Sequence, residues 1–136
     1  MSDEEIEEIR RKKIQERLSE LNDPKRKARE FAKAIVESPT YKNFIDANKE
    51  VQENQELQNL LREFQEKQLE LQWKGFDQKI LQELRDLQEK LNTNSTFQKF
   101  INSQNELVAL LRKTNSIISQ RIGQEFAQRR GGGCCG

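Results

Sequence analysis

The sequence predicts an all-α protein of about five helices, with a central antiparallel helical hairpin and a long C-terminal helix. Three observations predict it. Glu, Gln, Lys, Leu and Arg, all good helix formers, dominate the chain. Only six glycines and two prolines interrupt its 136 residues. Apolar residues recur at three- and four-residue spacing along most of its length. The apolar share, 33%, is low for a compact domain. Narrow stripes of this kind pair helices between chains, so an oligomeric bundle is expected.

The elements follow in order. Residues 3–22 carry Ile6, Ile9, Ile14, Leu18 and Leu21, with acids in the first turns and bases after them. Asp23 is a good N-cap and Pro24 suits the first helical position of the next segment. Ala28, Phe31, Ala32 and Ile35 form its apolar face. Ser38 and Pro39 repeat the start signal, and Tyr41, Phe44, Ile45 and Val51 line a helix that breaks near Asn54. Leu57, Leu60, Leu61, Phe64 and Leu71 then form a stripe running to Trp73. Gly75 interrupts it, and Phe76, Ile80, Leu84, Leu87 and Leu91 form the return stripe. Two stripes around one glycine predict a hairpin with arms of about 30 Å. "NTNS" breaks the chain again, with Ser95 expected as the cap of a last helix that reaches Arg130. Phe97, Phe100, Ile101, Leu107, Val108, Leu111, Ile118, Ile122 and Phe126 are expected on its core face.

One segment echoes another. "TYKNFIDANKEV" at 40–51 aligns without gaps on "TFQKFINSQNEL" at 96–107. Two readings stand: similar helix starts, or aromatic pairs docked at equivalent ends of the hairpin.

Several function classes are disfavoured. Lys plus Arg number 24 and Asp plus Glu 23, giving a net charge of +1, whereas dedicated nucleic-acid binders carry a basic excess. There is no histidine, which removes His-dependent triads and His metal sites. No glycine-rich phosphate loop is present. The acidic residues sit on solvated helix faces, so a non-enzyme is expected. No stretch is long and apolar enough to span a membrane, and "MSDEEIEEIRRKK" lacks the apolar core of a signal peptide. A cytoplasmic location is expected.

The stretch "AREFAKAIVESPTYKNFIDANKEVQENQELQNLLREFQEKQLELQ", a glycine turn, and "LQELRDLQEKLNTNSTFQKFINSQNELVALLRKTNSIISQRIG" resemble the YlbF/YmcA family. The resemblance covers about residues 28–123 and rests on the order of the pieces. It implies an all-α fold, dimers or higher oligomers of one chain or of paralogues, and no catalytic site. It also implies a regulatory complex that carries iron–sulfur clusters and supports an RNA-processing partner. The expected organisation is an N-terminal amphipathic extension (1–23), a family-like helical domain (24–130) and a glycine–cysteine tail (131–136).

The tail holds the chain's only two cysteines, Cys134 and Cys135. The resemblance makes them ligands of an iron–sulfur cluster shared between chains. Thiolates suit a cluster or zinc, glycine lets the backbone wrap closely, and Arg129 and Arg130 would stabilise the anionic state. Lipidation and incidental thiols are the competing readings. Trp73, beside the turn, either packs on a neighbouring helix or meets a partner. The bases of "RRKK" at 10–13 and "KRKAR" at 25–29 are interleaved with glutamates: a solvated face, or in the alternative a nucleic-acid contact.

Overall fold

A computed structural model describes residues 1–127. Six helices form: α1 (Asp3–Leu21), α2 (Pro24–Glu37), α3 (Pro39–Glu53), α4 (Gln55–Lys74), α5 (Gln78–Thr93) and α6 (Ser95–Ile122). That is one more than the expected five. The Ser38–Pro39 step and Asn54 each end one helix completely before the next begins. Among the described residues there is no strand.

The caps explain the boundaries. Ser2 and Glu5 exchange side-chain and backbone bonds, a capping box at the start of α1. The Asp23 carboxylate accepts from the Lys25 N–H, with Pro24 as the first helical residue of α2. Asn54 Oδ1 accepts from the Leu57 N–H, and Asp77 Oδ1 from those of Lys79 and Ile80. The cap of α6 is Asn94, whose Oδ1 accepts from the Phe97 N–H at 3.0 Å, and not Ser95. Asn and Ser are comparable caps, so the flanking sequence does not choose between them.

The chain forms two compact units, Met1–Pro39 and Thr40 onward. The first holds α1 and α2, and neither helix contains a buried residue. In the second, α4 and α5 make the predicted hairpin. Gly75 turns it at φ 74°, a conformation that costs glycine little and other residues more. The core sits at the base of the hairpin. Val51, Leu57 and Leu91 are buried there, with Leu60, Leu61, Phe64, Phe97 and Phe100 packed around them. Ile80 and Leu87 are buried further along α5.

The two echoed segments meet each other. The Phe44 ring of α3 lies 5.7 Å from the Phe100 ring of α6, centroid to centroid. Lys99 reaches Glu50 at 2.8 Å and Asn54 donates to Thr96 at 3.3 Å, which sets the two helices antiparallel. Ala47 and Ser103, equivalent in the echo, are both buried. The shared pattern therefore serves one helix pair, not two ends of the hairpin.

α6 stops at Ile122, short of the expected Arg130. Gly123 takes the left-handed conformation, φ 70° and ψ 15°, a common helix ending. The chain then turns back on α6. The Phe126 N–H donates to Ser119 Oγ and the Ala127 N–H to Asn115 Oδ1, each at 3.0 Å.

Candidate protein interface

The described residues show no group of ligating side chains that could hold a metal ion. No described helix is long and apolar enough to cross a membrane. Cys134, Cys135, Arg129, Arg130 and the tail as a whole lie outside the described residues. The residues of one chain do not fit an iron–sulfur cluster: two thiols and no histidine fall short of the usual four ligands.

Bare apolar surface is the feature that stands out. At the hairpin tip, Trp73 is 86% and Phe76 80% exposed, with Leu69 exposed on the same arm. Phe76 precedes α5, which starts at Gln78, so the return stripe begins at Ile80. Beside the tip, a groove of about 630 Å³ is lined by Gln65, Gln68, Leu69, Leu71, Gln72 and Leu84. The outer half of α6 exposes Val108, Leu111, Ile117 and Ile122, and Phe126 beyond it is exposed too. Val108, Leu111, Ile122 and Phe126 were expected in the core; among the described residues they are left exposed. Along α1, all the predicted stripe residues from Ile6 to Leu21 are exposed. On α2, Phe31 and Val36 are exposed. Singly exposed apolar side chains are ordinary, but runs of them along whole helices mark contact surfaces.

Charge is locally balanced. Arg11 pairs with Glu7 at 3.8 Å and Lys12 with Glu8 at 2.9 Å. Arg26 and Lys27 both pair with Glu30, at 3.5 and 3.4 Å. The "RRKK" and "KRKAR" segments thus spend four of their cations on their own helices. On the hairpin, Lys67 bridges the arms to Glu83 at 2.6 Å and also meets Glu70 at 3.2 Å. The Glu83 bond, then the Glu70 bond, raise the Lys67 ammonium above its ordinary pKa of 10.5. Lys74, then Lys67, lower the Glu70 carboxyl below its ordinary 4.5.

Sequence reasoning singled out Trp73, which the structure leaves exposed rather than packed on a neighbouring helix, but missed Asn115 and Ser119, which close the turn after α6. Their only signal is Gly123 a few residues downstream, a helix stop that a continuing apolar pattern masks.

A small core at a hairpin base, and apolar side chains left exposed on several helices, define an all-α protein with more apolar surface than its described residues cover. Residues 25–123 match the family described as control of competence regulator ComK, YlbF/YmcA. The chain belongs to the YlbF/YmcA family. A similar fold occurs in the crystal structure of Bacillus subtilis RicA in complex with RicF. The TM-score is 0.67 at 22% identity, over 73% of this chain and 92% of that one. No curated protein matches the chain.

Proposed function

We propose that this protein is a non-enzymatic regulatory or scaffold subunit. It assembles with itself or with related chains and presents a helical surface to an RNA-processing or developmental partner. One observation carries the reading: apolar side chains stay exposed along α1, α2, outer α6 and the hairpin tip, while buried ones are confined to the second unit. Water-exposed stripes of this length are a standing cost unless another helix covers them. The RicA structure is that of a complex with a second protein, which supports a role in a mixed assembly. Local ion pairing of the basic segments disfavours the nucleic-acid alternative.

Native mass spectrometry of the protein isolated from its own cells tests this. Complexes of two or more chains are expected; a lone chain under gentle conditions overturns the reading. A shared iron–sulfur cluster at Cys134 and Cys135 requires two more thiolates from another chain. Iron and acid-labile sulfide in the assembled protein, lost in a Cys134→Ser, Cys135→Ser variant, are the expected result. An assembly without either removes the cluster and leaves the scaffold.

A further inference from the structure

We propose that the groove between α3 and the first half of α6 seats an arginine side chain of a partner protein, between Asp46 and Glu106; this rests on the assembly reading above. The stretches 40–51 and 96–107 correspond without gaps. The same offset holds for the helices around them: α2 ends at Glu37 and α5 at Thr93, α3 begins at Pro39 and α6 at Ser95. The two corresponding helices pair antiparallel through Phe44 and Phe100, which are themselves equivalent positions. Each contact between them therefore has a counterpart with the helices exchanged. The counterpart of Glu50–Lys99, an ion pair at 2.8 Å, is Glu106 with Asn43.

The two ends of the helix pair differ in charge. At one end Lys99 neutralises Glu50, and Asn102, one turn on from Lys99, is neutral. At the other, Asn43 stands where the lysine would be, and Asp46, one turn on, adds a second carboxylate to Glu106. Asn43, Asp46, Asn102, Ser103 and Glu106 line one groove of about 540 Å³. Lys99, the cation among its lining residues, is taken by Glu50. Among the described residues the ion pairs of α3 and α6 are Lys49–Glu53 and Lys99–Glu50, and neither includes Asp46 or Glu106. A lone exposed carboxylate needs no partner, but two on one groove repel, and a cation between them relieves both. A guanidinium suits this lining: its planar fork serves two carboxylates at once, and carboxamide oxygens accept its remaining N–H groups. Exposed ion pairs are individually weak, so the seat selects among partners rather than holding one alone.

Argininamide, titrated into the isotope-labelled full chain, probes the seat by NMR of the side-chain carboxyl groups. Asp46 and Glu106 should shift together, with Glu50, already paired, as the internal reference. Asn43→Lys supplies the missing ammonium from within the chain, and should weaken this binding about threefold or more, the effect of one exposed ion pair. Equal shifts at Asp46, Glu106 and Glu50, or unchanged binding in the variant, overturn the seat. A response to calcium or magnesium chloride without one to argininamide overturns it too. Native mass spectrometry of both forms, each from its own cells, tests the partner. The variant should hold less of a bound chain than the wild type, at unchanged helical circular dichroism. A complex held equally by both forms overturns the arginine proposal and leaves the assembly reading intact. A wild type found only as a lone chain overturns both.

Discussion

At the scale of single residues, the chain separates sharply into a few side chains that hold it together and many that do not. Leu57 is fully buried at the hairpin base. Leu57→Ala should cost about 2–5 kcal/mol, because the cavity cannot collapse between α3, α4, α5 and α6. Urea unfolding measures it; a loss below about 1 kcal/mol would mean the base is loosely packed. Trp73 is the opposite case. It is the chain's only tryptophan and 86% exposed, so Trp73→Ala should change stability by less than about 0.5 kcal/mol. In dilute solution its emission should resemble free tryptophan in water. A blue shift on concentration would place it in an interface.

At the scale of elements, ion pairing ties the hairpin and sets a pH window. The Glu70 pKa is lowered, so its contribution is present above 4.5 and is lost as pH falls below that. The Lys67 pKa is raised, so its contribution is complete below 10.5 and is lost as pH rises through the raised value. The part of the thermal midpoint that this ion-pair cluster supplies should therefore be complete between those values and decline on both sides. Lys67→Met should remove much of the alkaline limb relative to wild type; an identical alkaline limb would show that Lys67 does not tie the arms. Helix existence was legible because its signals are local: Asp23–Pro24, Asn54 and Gly75 each act through their own backbone. The end of α6 was not, because Gly123 stops a helix whose apolar spacing runs on through Phe126. The choice of Asn94 over Ser95 was not legible either, since both side chains cap well.

At the scale of the molecule, periodicity shows which face of a helix is apolar but not which chain covers it. Ala28, Phe31, Ala32 and Ile35, or Leu111 and Ile122, read as core from spacing alone. In the structure they are exposed, or half-buried in the case of Ile35, while Val51, Leu57 and Leu91, with the same spacing, are buried. The difference is tertiary: the second set converges from three helices, whereas among the described residues the first is left exposed or at most half-covered. The cysteine pair was visible in the sequence as chemistry, but two thiols alone do not define a site. The central claim is that the bare faces are covered by other chains. Hydrogen exchange of the full-length protein, in dilute and concentrated solution, tests it most directly. The account predicts new protection in α1, α2, outer α6 and the hairpin tip, with amides around Leu57 and Leu91 unchanged. Identical exchange at both concentrations, in a sample that stays monomeric, would contradict it.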